Sequence, residues 1–270
     1  KQLPSSSLST YINCYCMWQS HELVLPVTPF KVIPSGHLEI LFSFGMPSKL
    51  PGIPLPQNVA AVQVYLIGPR ETSLTGSHAG YLDMLLVRFN IGYGTIFTQH
   101  ALQDFSGLNL VLDPLLRPDQ VALVEQMAST SDMHQRIALF EDWLRQALQR
   151  RVIFNGHVLQ ALAMIDDSQG SLSINQLTQA LGVTRRHLAR QFAVHVGLSP
   201  KQLAQVVRLR YVLALLEQPY IDWIDIANIC GFYDQSHFIH NYKAIFGMTP
   251  EKYRHTSTDV PFLQYNMPSL

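Results

Sequence analysis

The spacing of apolar residues changes near residue 114 and divides the chain into two kinds of predicted secondary structure. Before that point, short apolar runs rich in Val, Ile, Leu, Phe and Tyr partly alternate with polar residues and are separated by Pro and Gly, as in strands joined by turns. The prolines between Pro47 and Pro56 disfavour a long strand there. This pattern predicts a small β-barrel or sandwich. The predicted strands are Lys31–Pro34, Leu38–Phe44, Val59–Ile67 and Leu82–Asn90.

Beyond Pro114 the apolar positions recur every three or four residues, as on one face of a helix. Pro118 suits the first turn of such a helix, where its missing N–H costs no hydrogen bond. A second helix is predicted from about Asp132 to Arg151, and a third over 157–167. The apolar stripe of the second helix is expected to pack on its own domain, and a homodimer interface is the alternative. That stripe consists of Ile137, Phe140, Leu144 and Leu148.

The last hundred residues contain one pattern twice. The two copies are offset by 49 residues before a turn glycine and by 50 after it. Each copy reads as a short helix, a tight turn and a second helix, which is a helix-turn-helix unit, and the units span about 171–198 and 222–247. The matching residues are Gly182, Leu188, Phe192, Gly197 and Pro200 in the first copy, and Gly231, Phe238, Tyr242, Gly247 and Pro250 in the second.

The first unit places arginines on the outer side of its second helix. Gly182 is expected to end the first helix, and the hydroxyl of Thr184 to cap the second. With Leu188, Phe192 and Val196 turned to the core, Arg185, Arg186 and Arg190 point outward. Arg186 and Arg190 are four residues apart and therefore lie on one side of the helix, as reading the DNA major groove requires. Each can bond a guanine through two hydrogen bonds, and contact with a phosphate is the alternative.

The second unit repeats the design with uncharged polar residues. Gly231 is expected to form the turn and Asp234 to cap the second helix. The residues expected to line the inner side of the first helix are Ile224, Ile226, Ala227 and Ile229. The residues expected to contact DNA from the second helix are Gln235, Ser236, His240 and Asn241. This helix should bind less tightly and depend more on hydrogen bonds and DNA shape.

A long helix predicted over 202–218 joins the two units and would hold them about 34 Å apart, one turn of DNA. Its charged residues include Arg208. The side chains expected to contact the DNA backbone are Thr184, Lys201 and Arg208.

The charge distribution agrees with DNA binding, although the formal net charge is zero. Residues 1–150 carry 9 basic and 11 acidic side chains, net −2, whereas residues 151–270 carry 10 and 8, net +2. The segment from Ser168 to Leu216 contains no acidic residue and six basic ones. A confined basic stripe is what phosphate binding requires, while a merely solvated face would mix both signs.

The C-terminal region resembles the DNA-binding domain of the AraC/XylS family of bacterial transcription regulators. The resemblance lies in the run Asp225–Phe238, in Phe246-Gly-Met-Thr-Pro250 and in Tyr253-Arg254. It implies base-reading positions at Arg186, Ala189 and Arg190 in the first unit, and at Gln235, Ser236 and His240 in the second. Ala189 cannot donate a hydrogen bond, and His240 stands where a basic residue is common.

The N-terminal region resembles the effector domains of that family more weakly, through the run Val32–Phe42. The resemblance implies a cupin-like β-barrel with trailing helices used for dimerisation. The expected architecture is thus α+β, with a β-rich sensing and dimerisation domain at 1–150 and an all-α DNA-binding domain at 151–270.

Other chemistry is expected to be absent. Cupin enzymes hold metal through His and Glu, but His37 and Glu39 lack a clustered partner, so neither a metal nor a cofactor is expected. Cys14 and Cys16 lie two apart on one strand face and are expected to pack rather than to act in redox chemistry. With Cys230 they make an odd, sparse set that favours a reducing cytoplasm. Neither a secretory leader nor a membrane-spanning segment is expected.

These features predict a cytoplasmic transcription regulator rather than an enzyme. Its expected partners are double-stranded DNA, a small-molecule effector at the N-terminal domain, a second copy of the chain, and RNA polymerase if it is an activator. One alternative is a regulator without a ligand, and another is a cupin-type enzyme fused to a DNA-binding module.

Overall fold

The computed structural model describes residues 1–20, 24–45, 62–112, 115–150, 155–216 and 221–252. The predicted loop Pro47–Pro56 and the family residues Tyr253 and Arg254 lie outside these ranges.

In the described part of the first hundred residues the main elements are strands, as the alternating pattern predicts. Five of the strands make one antiparallel sheet in the order β1-β6-β3-β4-β7, and β2 pairs with β5 in a second sheet. Leu41 lies at the centre of the larger sheet, paired with Tyr65 on one side and with Leu86 on the other. The strands are β1 Ile12–Gln19, β2 Val24–Val32, β3 Glu39–Ser43, β4 Gln63–Ile67, β5 Leu74–Gly80, β6 Asp83–Phe89 and β7 Asn109–Val111.

Both faces of the five-stranded sheet are covered. Successive strand residues point to opposite faces, so Ile40 and Phe42 join one apolar cluster and Leu41 joins another. The Leu41 cluster includes Val32 of β2 and Leu74 of β5, which places the smaller sheet against this face. The region is therefore sheet-rich as predicted. In the part of the chain that the structure describes, no strand ladder joins the two sheets into a closed barrel.

Helices cover the other face. After the one-turn helix α1 Thr95–Thr98 come α2 Pro118–Ala128 and α3 Met133–Gln149, so Pro118 is the first residue of α2 as predicted. The predicted apolar stripe of α3 is buried in the core of its own chain, because Phe140 and Leu144 are fully covered and Ile137 is 3% exposed. Packing on the parent domain is thus confirmed. The view of this stripe as an exposed dimer face is wrong.

The remaining helices form the C-terminal region, and they surround two apolar clusters. One cluster belongs to the first helix-turn-helix unit and includes Leu188 and Phe192, and the other belongs to the second unit and includes Phe238 and Tyr242. The helices are α4 Gly156–Asp167, α5 Ile174–Leu181, α6 Arg185–His195, α7 Pro200–Leu216, α8 Trp223–Ile229 and α9 Gln235–Phe246.

Helix α7 is shared by both clusters, with Leu203 in the first and Leu209 in the second. The predicted connecting helix is therefore present, and it begins at Pro200. Of the helices in the described ranges, none combines the length and the apolar character needed to cross a membrane.

Candidate nucleic-acid interface

The first unit is shaped by its caps. The Ser173 hydroxyl accepts a hydrogen bond from the Gln176 N–H at the start of α5, and the Gln176 side chain accepts from the Ser173 N–H. Gly182 ends the helix in the left-handed conformation, at φ +64°, which glycine adopts without strain. Thr184 then caps α6 by accepting from the His187 N–H at 3.2 Å. These local bonds fix the turn between the two helices, as the sequence predicts.

Two arginines on α6 project into solvent on one side of the helix. Leu188 and Phe192 are fully buried, whereas Arg186 and Arg190 are exposed one helical turn apart. Ala189 is exposed between them. The two guanidinium groups thus stand on a common face, as contact with neighbouring bases or phosphates requires.

Arg185 differs from its neighbours because its guanidinium is already bonded. Its Nη2 donates to the Asn175 side-chain oxygen on α5, although the residue as a whole is exposed. The link joins the two helices of the unit across its turn. This role of Asn175 is not visible in the sequence, because Asn175 lies ten residues before Arg185 and no local spacing rule connects them.

The second unit has the same geometry. Gly231 takes φ +67°, and the Asp234 carboxylate caps α9 by accepting from the His237 N–H at 2.7 Å. Phe238 and Tyr242 are fully buried. The predicted contact residues then divide: Ser236 and His240 are exposed, while Gln235 and Asn241 are half-buried. The Asn241 Nδ2 donates one hydrogen bond to the His237 carbonyl at 2.8 Å, which leaves its side-chain oxygen and its second N–H to meet a ligand.

The expectation that four apolar residues line the inner side of α8 is correct for two of them. Ile226 and Ala227 are buried, but Ile224 is 59% exposed and Ile229 is 50% exposed. A helix of seven residues turns only one narrow face inward, and Cys230 just beyond it completes that face. Together with Tyr233, which is 92% exposed, the two isoleucines leave apolar surface beside the second unit.

The basic stripe separates into exposed and inward-turned members. Lys201 is exposed at the start of α7, and the Thr184 cap is exposed beside α6. Arg208 is half-buried: its Nη2 donates to the Gly170 carbonyl at 2.8 Å, and its guanidinium carbon lies 5.8 Å from the Phe232 ring centre. Arg210 also turns inward, and burial together with nearby Arg88 lowers the pKa of its guanidinium to about 10.

The two units carry different charge. The described residues of the first unit, from α5 through α6, contain three arginines and no acidic side chain. Residues 221–252 contain four acidic and two basic side chains, net −2. The acidic residues are Asp222, Asp225, Asp234 and Glu251. Attraction to phosphate is therefore concentrated on the first unit.

The residues considered for metal binding have other partners. His37 Nδ1 lies 2.7 Å from the Phe89 carbonyl, and because a carbonyl can only accept, this nitrogen carries the proton. Glu39 pairs with Arg88 in the buried interior. Among the described residues, no group of three or more His, Cys, Asp or Glu side chains is placed to hold a metal ion.

The two N-terminal cysteines are buried neighbours on β1, as their spacing predicts. Their sulfur atoms lie 3.9 Å apart, and both residues are free thiols. The hydrogen bond from Cys16 lowers the pKa of Cys14 to about 7, and the same contact raises the pKa of Cys16. Since Cys14 is fully covered and Cys16 is 5% exposed, both sit in the packed interior.

Comparison with known families divides the chain in the same two regions. Residues 177–256 match a helix-turn-helix domain family. Residues 1–110 match a domain of unknown function, DUF6597.

Several proteins named as regulators match part of this chain. The HTH-type transcriptional regulator GbdR of Pseudomonas aeruginosa is 28% identical over 134 residues, which are 48% of this chain and 36% of that protein. An HTH-type transcriptional regulator of Haemophilus influenzae is 30% identical over 121 residues, or 41% of this chain and 40% of its own length. This chain therefore spans well under half the length of these relatives. Among solved structures, ToxT from Vibrio cholerae has a TM-score of 0.46 at 10% identity, covering 91% of this chain and 98% of that one.

Proposed function

We propose that this chain is a sequence-specific DNA-binding transcription regulator of the AraC/XylS type, because residues 177–256 match a helix-turn-helix domain family and carry the residues of that resemblance. The observation that carries the proposal is the presence of two capped units with exposed polar residues near the N-terminal end of each second helix. That end of a recognition helix is the part that reaches base edges in the major groove. The charge difference between the units supports unequal contributions to affinity.

We assign the contacts by exposure. Arg186 and Arg190 read bases from α6, and Ser236 and His240 do so from α9, since these four side chains are exposed. Arg185, Gln235 and Asn241 border the same faces and contribute contacts after small side-chain movements. The DNA backbone is held by Lys201 and by the region around the Thr184 cap. Arg208, the third residue expected to contact the backbone, is half-buried and donates to the Gly170 carbonyl.

The N-terminal region is proposed to be the sensor, with the division between the two domains at residue 150. The two sheets would form a cupin-like barrel around the Leu41 face, where Val32 and Leu74 already pack. A small molecule bound there would shift the population of molecules in which both recognition helices can dock on DNA. The proposal includes no catalytic step, in keeping with relatives named as regulators.

The setting follows from the same proposal. A DNA-binding regulator works in the cytoplasm of a bacterium, and RNA polymerase would be its partner if it activates transcription. Homodimerisation would need a surface other than the buried stripe of α3.

The experiment is selection of duplex DNA from a randomised library by the full chain, followed by affinity measurements on the selected site. Arg186→Ala and Arg190→Ala should each weaken binding by about 1–3 kcal/mol and relax the base preference at one position. Arg150→Ala is the matched control, because this arginine is exposed on the N-terminal region and pairs with Asp119. Unchanged affinity and preference in both α6 variants would refute the assignment, and failure of the chain to enrich any sequence would refute the function.

A further inference from the structure

A short segment of the N-terminal region, residues 69–73, contacts both helix-turn-helix units. At the first unit, Gly197 lies against the N-terminal region: a Cβ added to this glycine would be 2.8 Å from the carbonyl oxygen of Leu102 and 3.1 Å from the Cγ of Pro69. At the start of α7, the Glu71 carboxylate accepts a hydrogen bond from Gln202 Nε2 at 3.1 Å. At the second unit, the Ser73 N–H donates to the Ile245 carbonyl at 3.0 Å.

The contact at the second unit supplies a hydrogen bond that α9 cannot make within itself. The last four carbonyls of a helix have no partner within it, and Ile245 stands in the last turn of α9. The Ser73 N–H supplies the hydrogen bond for this carbonyl from the other region of the chain. The contact is therefore directional, and it fixes the end of α9 more closely than apolar packing alone would.

The 69–73 segment is itself held rigidly. The backbone of Arg70 exchanges two hydrogen bonds with Ser35, at 2.7 and 3.0 Å. The buried Arg70 guanidinium donates to the carbonyls of Gly68 and Leu108 and to the Asn109 side-chain oxygen. The segment is thus bonded to Ser35, which precedes β3, and to Asn109, the first residue of β7.

These contacts lie at the ends of the recognition helices opposite to the proposed reading faces. Gly197 lies two residues beyond the end of α6, and Ile245 is the residue before the last one of α9. Arg186 and Ser236 stand in the first turns of the same helices and are exposed. The segment therefore constrains both helices while leaving their reading residues open to DNA.

Each unit packs on a different part of α7, so a small change in the packing of either unit on this helix would reorient it relative to the other. The N-terminal region opposes such a change because it contacts both units. Its contacts are apolar at Ile33 and Ile91, and the hydrogen bonds of the 69–73 segment add the directional part. One base pair changes the position of a half-site by about 3.4 Å along DNA and about 35° around it, so even a modest rotation alters which spacing fits.

We propose that the 69–73 segment is a positioning element that fixes the relative orientation of the two recognition helices and so sets the half-site spacing that the protein accepts. The inference rests on the proposed DNA-binding function. It assigns to the N-terminal region a part in DNA recognition that does not depend on any ligand.

The test compares Ser73→Pro with Ser73→Ala. Proline has no N–H and removes the bond to Ile245, whereas alanine keeps the N–H and loses only the hydroxyl. Ser73 precedes the first paired residue of β5, Leu74, so the strand ladder is retained. The DNA is the duplex that the wild-type chain selects from a random library. Altered duplexes carry one or two extra base pairs between the two selected half-sites, one for each helix-turn-helix unit.

Wild type and Ser73→Ala should lose about tenfold or more in affinity on each altered spacing, a change similar to the loss of one base contact. Ser73→Pro should lose less than about threefold on the same duplexes, because its units can readjust. Glu71→Ala, which removes the acceptor of Gln202 without touching the backbone, is a second variant and should shift spacing tolerance in the same direction.

The outcomes separate the two proposals. A wild type that selects no DNA overturns the proposed function and this inference with it. In another outcome, the wild type selects a site with two half-sites while folded Ser73→Pro and Glu71→Ala lose as much affinity as the wild type on the altered spacings. That result overturns the positioning role alone. Tighter binding of the variants at the native spacing also overturns it, because the segment would then be a restraint that opposes DNA binding.

Discussion

The ring of Phe140 meets the ring of Phe42 edge-on, with 6.1 Å between the ring centres, where α3 crosses the five-stranded sheet. Both side chains are fully buried. Phe140→Ala should therefore lower the free energy of unfolding by about 3–5 kcal/mol, through lost apolar contact and an unfilled cavity. Urea denaturation measures this change. Val121→Ala on neighbouring α2 is the control, since Val121 is 39% exposed and should cost much less. Similar values for the two variants would contradict the burial of the stripe.

Lys201 should contribute to affinity through charge alone. Its side chain is exposed at the start of α7, beside the basic first unit. If it neutralises one phosphate, Lys201→Gln should reduce the slope of log affinity against log salt by about 0.9 and leave base preference unchanged. Lys243→Gln is the matched control, because Lys243 is exposed in the last turn of α9, away from the proposed contacts. An equal reduction in both variants would show a general charge effect rather than a contact.

Arg208 should matter for stability more than for phosphate binding. Arg208→Ala removes the hydrogen bond to the Gly170 carbonyl and the contact with Phe232. Since the side chain is half-buried, we expect a loss of about 1–2 kcal/mol in unfolding free energy, with the salt slope near that of wild type. Arg190→Ala, at an exposed position, should change stability by less than about 0.5 kcal/mol. A flattened salt slope with unchanged stability would instead support the sequence-based prediction that Arg208 binds the DNA backbone.

His37 should make the folded state less stable as the pH falls. Burial, together with Arg88 and Arg210, lowers the pKa of this imidazole well below its usual value near 6.5, against the opposing effect of the Phe89 carbonyl. Below about pH 6.5, His37 therefore binds a proton in the unfolded chain but stays neutral in the folded chain. Stability from this group is therefore complete above about pH 6.5 and declines below it, by up to about 1.4 kcal/mol per pH unit.

The measurement is urea denaturation of wild type, His37→Gln and His134→Gln between pH 5 and 7.5. The His37 variant should lack this part of the pH dependence, whereas the variant at exposed His134 should keep it. A wild-type slope in the His37 variant would mean that other groups cause the pH dependence.

The helix-turn-helix units could be predicted from sequence because their determinants are local. Gly182 and Gly231 both take a positive φ, and Thr184 and Asp234 both cap the following helix. Each of these roles involves residues within four positions of one another, where spacing decides which groups meet. The same local rules predict Pro118 as the first residue of a helix, and α2 begins there.

The pairing of strands and the neighbours of charged side chains could not be predicted in that way. Pairing of β1 with β6 brings Cys14 opposite Arg88, 74 residues later, and nothing in either strand encodes the choice. From its charge, Arg208 is expected to contact the DNA backbone, and this stays a prediction. Its hydrogen-bond partner in the fold, the Gly170 carbonyl, lies 38 residues earlier, beyond the reach of local spacing. The apolar character of Ile229 predicts that it is buried. In the fold, α8 turns Ile226 and Ala227 to the core and leaves Ile229 50% exposed.

Two residues of the N-terminal region belong to the apolar clusters of the DNA-binding units. Ile91 packs in the cluster of the first unit, and Ile33 packs in that of the second. Genes for regulators can exchange sensors by recombination only where the exchanged parts do not share a core. Here a new sensor would have to bring an apolar side chain to each of these two places. The two regions of this chain are therefore expected to be inherited together, and compensating substitutions should link positions 33 and 91 to the helices they cover.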